Sequence, residues 1–340
     1  MRFWKKENLR LKENNLYLQP QNFLYMQARF IRNLLVLCMS IAICYTASAQ
    51  NAARDYVEPD GWSLGTNIGL SDMWGSVGTK SVIDHYTNSK YFDKVAFIGG
   101  IFGRYTIHPC LAVRFLVNYG SLYATDKWNY DKAKGSTNQG TDAYQRLARN
   151  QDARDFIFEP AALFELDPFR FNPESKSAMR RGQPYIAAGI AYFHYEPYST
   201  AGNTGAWVKT YNLDLEGQGF GAGFPPKKSL WQPAIPLAIG YRWDIGQHLN
   251  LGIEYMYRMT FTKYLDGVSD KYISTSDYAA HLSPHDAALA ESVADKEALT
   301  GLGQTNAAGN TRGGGKNESY STISIVFYYK VATNNRRWWK

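Results

Sequence analysis

Residues 249 to 261, LNLGIEYMYRMTF, alternate without a break between bulky apolar side chains and small, polar or charged ones. Leu249, Leu251, Ile253, Tyr255, Tyr257, Met259 and Phe261 share one parity; Asn250, Gly252, Glu254, Met256, Arg258 and Thr260 share the other. A period of two means a strand with two unlike faces, because successive side chains leave a pleated backbone on opposite sides. Ile235, Leu237, Ile239, Tyr241 and Trp243 repeat the pattern one segment earlier, against Ala234, Pro236, Ala238, Gly240 and Arg242. Asp244 to His248 is the Gly-containing turn between them, so the pair reads as a hairpin. In a soluble sandwich the bulky face would be the core and the other face solvated. Here the second face is mainly Ala, Gly, Asn and Thr with sparse charges, which fits a membrane barrel: apolar side chains out to lipid, small and polar ones into a packed lumen.

The start of the chain agrees. Leu34 to Cys44 is a short apolar run behind Arg29 and Arg32, followed by Ala47-Ser48-Ala49 before Gln50. That is the pattern of a secretory signal peptide over residues 1–49, with Met26 as an alternative start, and the run is too short to span a bilayer as a helix. The formal charge of +7 rests on 37 Lys/Arg and 30 Asp/Glu, and residues 1–49 carry seven of the former and two of the latter. The exported part is therefore close to neutral at +2, and a nucleic-acid partner loses its electrostatic support. Cys38 and Cys44 lie in the signal, leaving Cys110 without a partner for a disulfide.

Eight alternating segments follow residues 50–60, an N-terminal periplasmic segment. They begin at Gly61, Val95, Leu111, about Phe156, Pro184, Ile235, Leu249 and Ser319, the last ending at Lys330. Ile98 and Phe102 blur the alternation of the second, and the Gly/Ala-rich fifth is ambiguous in facing. The connections run long, short, long, medium, long, short, long. Transmembrane barrels have even strand numbers, short periplasmic turns and long extracellular loops. The expectation is an all-β fold: an eight-stranded, antiparallel, up-and-down transmembrane β-barrel over residues 61–330, with four long extracellular loops and a basic, aromatic tail over 331–340. The alternative, a soluble lipocalin-like barrel, would need its bulky face inside.

Parity places Arg114, Glu159, Glu165, Arg242, Glu254 and Arg258 in the lumen, with Arg104 a further candidate. Opposite charges in so narrow a space can satisfy one another, whereas a lone buried charge is costly. The reading is a structural ionic plug; a proton or solute path is the alternative. Catalytic and metal readings are thin. His194 beside Glu196 has no well-placed serine, and His281 and His285 lack a third ligand. Ser283 and Pro284 open a short helix in the fourth loop. EGQGFGAG (216–223) and RGGGK (312–316) lack the strand-then-helix setting of phosphate loops and read as turns. No catalytic residue, cofactor, metal or small-molecule substrate is expected.

Several stretches carry a resemblance: GWSLGTNIGLSDMWGSVG (61–78), PYIAAGIAYFHYEP (184–197), DLEGQG (214–219), RMTFTKYLDGVSDKYI (258–273) and RGGGKNESYSTISIVFYYKV (312–331). They resemble the Bacteroidota outer-membrane barrel family, OmpA-like in architecture, that includes PorG, the barrel component of the type IX secretion system. Tyr264, Leu265, Asp266, Val268 and Ser269 are the most specific part of the likeness. Lys263 and Gly267 depart from it, standing where family members carry acids. The resemblance implies a non-enzymatic outer-membrane barrel and, for its PorG-like members, contact with a periplasmic lipoprotein ring. The tail residues Arg336, Arg337, Trp338 and Trp339 suit either an anchor in lipid headgroups or a docking peptide for such a partner.

Overall fold

The computed structural model describes residues 61–79, 95–134, 139–172, 181–202, 204–245, 248–302 and 305–331. The signal peptide, Met26, residues 50–60 and the tail from 332 onward lie outside the described residues. Every alternating segment forms a strand: β1 (Gly61–Trp74), β2 (Ala96–His108), β3 (Leu111–Thr125), β4 (Asp152–Leu166), β5 (Gly182–Thr200), β7 (Trp231–Asp244), β8 (Leu249–Thr260) and β9 (Ser319–Lys330). A ninth piece, β6 (Trp207–Lys209), adds three residues to the loop end of β5. Each long strand pairs antiparallel with the next, and β1 pairs with β9, so the sheet closes on itself. The chain is a closed, eight-stranded antiparallel β-barrel, with no open edge along its wall to satisfy.

The two faces fall as the alternation requires. Ile68, Ile101, Phe115, Phe164, Ile190, Ile239 and Ile253 stand exposed on the outer wall, Ile101 at 70% and Ile190 at 71%. So broad a belt of bare aliphatic and aromatic surface is far larger than an aqueous surface tolerates, and it matches the hydrocarbon band of a membrane barrel. Ile98 and Phe102, which blur the second strand, point inward. The reason is local: Phe102 packs edge-on against Tyr328, 6.0 Å between centroids, and lies under the Arg114 guanidinium at 5.4 Å. In β5, Tyr185, Ala187, Ala191, Phe193 and Tyr195 are inward while Ile186, Ile190 and Tyr192 are outward. Small Ala187, Ala191, Ala234 and Ala238 leave room for Leu116, Leu163 and Tyr320 on the other strands, the interleaving of sizes that fills a narrow barrel.

The strands outlast the expected length of about ten residues: β5 runs 19 and β4 runs 15. Above them the described parts of the second and last long loops carry helices. Two of these, α1 (Tyr130–Lys134) and α2 (Asp142–Arg149), stand where sequence reading placed a polar loop. Thr141 caps α2 by accepting from the Tyr144 amide, a short local signal that polar composition masks. In the last loop, α3 (Thr275–His281) opens on a Ser274/Asp277 capping box. α4 (Pro284–Ala294) follows with Ser283 as cap and Pro284 at its first position, as expected. α4 buries Ala287, Ala290, Val293 and Ala294 against Leu213, Leu215 and Tyr278, a second small core above the barrel.

Candidate functional site

Inside the wall the charged residues assemble in layers. Toward the loop end, Arg258 pairs with Glu159 at 3.0 Å. Glu159 also accepts from Asn118 at 2.8 Å and from the Tyr320 hydroxyl, and Arg258 donates to Thr322 at 2.6 Å. One layer down, Glu254 takes a short ion pair from Arg114 and a hydrogen bond from Tyr185 at 2.9 Å. Arg114 also meets Glu165 at 2.9 Å, and Glu165 receives Arg104 at 2.6 Å and Arg242 at 3.1 Å. Asp167, just past the end of β4, binds Arg242 as well. At the short-turn end Asp244 pairs with Arg170 at 2.8 Å and Lys330 at 3.3 Å. Arg242 and Arg258 lie over the rings of Tyr185 and Tyr320, 4.9 and 5.2 Å from the centroids.

The structure thus brings Arg114, Glu159, Glu165, Arg242, Glu254 and Arg258 together in one buried stack, each almost wholly inaccessible. Parity also puts Asn118 inward, as found, whereas sequence reading missed Asp167, Tyr185, Tyr320, Arg170 and Lys330. Tyr320 and Lys330 share the inward parity of β9, opposite Ile323, Ile325 and Phe327, so alternation alone could have found them. Tyr185 sits on the strand of ambiguous facing, and Asp167 continues the inward parity of Glu159 and Glu165 one residue beyond the strand.

The mouth of the barrel is closed by the motif that carries the family resemblance. Leu265 and Val268 are buried in one apolar cluster with Ile98, Ile157, Phe193, Tyr195 and Tyr320. Asp266 accepts the Val77 amide at 2.7 Å and the Val268 amide at 2.8 Å, and its own amide donates to Glu318 at 3.0 Å. Both carboxyls are held above their ordinary range by burial, Glu318 further by the Asp266 carboxyl beside it. Ser269 donates from its amide and hydroxyl to Glu216, 2.7 Å each. Arg312 reaches Glu216 at 3.0 Å and the Gly267 carbonyl at 2.6 Å. Tyr264 donates to Asp270 at 3.1 Å, and Lys263 pairs with that same carboxylate at 2.5 Å.

Two glycines take positions here that few other residues fit. Gly267 has φ +71°, the left-handed region. A Cβ on Gly313 would collide with the Val268 carbonyl and the Ser269 backbone. A second clamp ties the first two long loops to the last. Arg149 binds Asp126 at 2.8 Å, the Ser76 carbonyl at 2.7 Å and the Arg312 carbonyl at 2.9 Å. Lys296, buried just past the end of α4, donates to Thr200 Oγ1 at 2.9 Å and lies 4.0 Å from Asp152.

His194 faces outward with its ring 5.2 Å from that of Trp231. His281 stacks on Phe220 at 4.4 Å and bonds the Asp277 carbonyl through Nδ1, while His285 is exposed on α4. Among the described residues no three His, Cys, Asp or Glu side chains converge as metal ligands. Gly217, Gly219, Gly221 and Gly223 all have positive φ, so EGQGFGAG is a series of turns, and RGGGK leads into β9.

No protein-family model matches the chain, and no curated protein sequence is similar to it. Solved structures are similar in architecture. Neisserial surface protein A is 10% identical, with 80% of this chain and 97% of that one covered and a TM-score of 0.34. Ail of Yersinia pestis, in complex with the heparin analogue sucrose octasulfate, is 9% identical with 80% and 99% covered and a TM-score of 0.34. The outer membrane protein OprG of Pseudomonas aeruginosa is 10% identical with 81% and 98% covered and a TM-score of 0.33. Such likenesses concern the course of the chain and carry over no binding partner.

Proposed function

We propose that this chain is a non-enzymatic outer-membrane barrel whose work is done at its two ends and not through its lumen. The observation that carries the reading is the double closure: stacked ion pairs fill the barrel, and Leu265 and Val268 seal it from the loop side. The lumenal network is structural. Every carboxylate named in it meets a guanidinium or ammonium, which removes the cost of isolated buried charge. The belt of exposed aliphatic residues meets outer-membrane lipid, and the long loops lie outside the cell.

The finer reading is a barrel component of type IX secretion that contacts periplasmic lipoproteins. It is supported by the resemblance of the Tyr264-to-Ser269 motif and of the stretch from 312 to 331 to PorG-like barrels. On this reading the partner meets the short-turn end, the connection from Asp167 to Gln183, and the tail with Arg336, Arg337, Trp338 and Trp339. The alternative is an OmpA-like surface barrel that works through its loops, favoured by the ordered second core of α4 with Leu213 and Leu215. Deleting the gene and comparing the exported proteins of mutant and parent separates the two. Loss of type IX cargo from the medium is expected for the secretion role, and an unchanged set of exported proteins overturns it. Truncation at Ala332 then tests the tail: normal insertion with loss of co-purifying lipoproteins assigns it to docking.

A further inference from the structure

On the outer wall at the loop end, the strand register builds three rows of side chains. The lowest row is Tyr119, Phe158, His194 and Trp231, neighbours across β3, β4, β5 and β7. Its rings interlock, Phe158 meeting Trp231 edge-on at 6.2 Å and Tyr192 stacking on Trp231 at 5.4 Å. That is the aromatic girdle at the boundary of the hydrocarbon. The next row pairs Phe156 with Glu196. The top row runs Arg154, Tyr198, Lys209 across β4, β5 and β6. Arg154 and Lys209 are both exposed and stand on either side of Tyr198 in the register, about 10 Å apart from the usual strand spacing, the Arg154 guanidinium lying over the Trp207 ring at 5.0 Å. Between the rows lies a cleft of about 400 Å³ lined by Tyr119, Phe156, Phe158, His194, Glu196 and Tyr198.

We propose that this cleft binds one phosphorylated glycolipid of the outer leaflet, with its acyl chains along Tyr119 and Phe158, its sugar against Phe156 and Tyr198, and its phosphate between Arg154 and Lys209. Three features select that chemistry. The cleft opens at the membrane boundary, where a lipid must pass from chain to headgroup. Two cations at its upper rim suit a phosphate, and the planar guanidinium can hold it through two donors. Glu196, which Lys209 contacts at 2.9 Å, would repel a bare anion, but together with His194 it accepts hydrogen bonds from sugar hydroxyls or amides. A simple phospholipid offers fewer such donors.

The site rests on the loops lying outside the cell, as proposed above. The full-length barrel is refolded into phosphatidylcholine nanodiscs and titrated with diphosphoryl lipid A, with the same lipid stripped of phosphate, and with inorganic phosphate, following intrinsic Trp fluorescence and native mass spectrometry. Saturable binding of diphosphoryl lipid A is expected, weakened about tenfold or more by Arg154→Ala with Lys209→Ala and by removal of the phosphates. Phe156→Ala is expected to weaken both lipid forms. Equal binding by the double variant, equal binding of the stripped lipid, or equal competition by inorganic phosphate would overturn the site. Heat-modifiable gel mobility shows that each variant is folded. Surface thiol labelling of Lys228→Cys in intact cells tests the orientation separately. If that residue is inaccessible from outside, the orientation fails, whatever the nanodiscs show.

Discussion

Glu254 shows how much one lumenal side chain holds. It takes both the Arg114 guanidinium and the Tyr185 hydroxyl, and each is left inside a sealed barrel if the carboxylate goes. Glu254→Ala is expected to cost about 3–5 kcal/mol, read as a lower urea midpoint in lipid vesicles. Glu254→Gln keeps an acceptor for Tyr185 and should lose less. A transport role would predict the opposite pattern, a stable barrel in both variants. Lys296 carries the clearest pH dependence. Burial, opposed by the Asp152 carboxylate, lowers its pKa to about 8, whereas an unfolded lysine titrates near 10.4. Between those values the unfolded chain binds more protons, so this residue makes stability rise with pH, at most about 1.4 kcal/mol per unit. Lys296→Met should remove that rise between pH 8 and 10, measured as the difference in urea midpoints between wild type and variant. An unchanged slope would show that Lys296 is as protonated in the folded loops as in water.

The element that joins loop to barrel is the segment from Thr262 to Asp270, and Gly267 is its weak point. Its left-handed φ is open to Gly and tolerable for Asn or Asp, but a β-branched side chain is strained there by roughly 1–2 kcal/mol. Gly267→Val should therefore loosen the clasp and raise the rate of protease nicking in the last loop, while Gly267→Asn should leave it near wild type. Identical nicking by both variants would mean that the clasp does not depend on this turn. The same segment marks the limit of what alternation reveals. The strands were legible because an apolar wall and a packed lumen impose a strict period of two, and Arg114, Glu159, Glu165, Arg242, Glu254 and Arg258 followed from parity alone. The clasp has no period. Glu216 and Arg312 reach it from tens of residues away, Arg149 joins from a further loop through the Arg312 carbonyl, and no local pattern announces that they meet. Arg312 sits in a Gly-rich run that reads as a turn, yet it is wholly buried.

At the scale of the whole molecule, the two closures act in series. An ion entering from the loop side first meets the apolar cluster of Leu265, Val268, Tyr195 and Phe193. It then meets the Glu159–Arg258 pair and finally the knot of Glu165, Arg104, Arg114 and Arg242. An eight-stranded barrel has an interior just wide enough for side chains to fill, and here the large Tyr185, Tyr320 and Tyr328 take the space left by the charges. Barriers in series do not share the load: lifting one leaves the other in place. The wild-type barrel in a planar bilayer is therefore expected to give no discrete current steps. Leu265→Ala with Val268→Ala, which thins the apolar seal, should stay equally silent because the ionic layers beneath it are intact. The same double variant should still lose stability, since each deleted side chain leaves a cavity costing about 1–5 kcal/mol. Stable, ion-selective steps from the wild type would mean that the guanidinium layers part readily, and the ends-only reading of the barrel would fall with them. Steps that appear only in the double variant would locate the gate in the clasp and turn the motif from a structural seal into a plug.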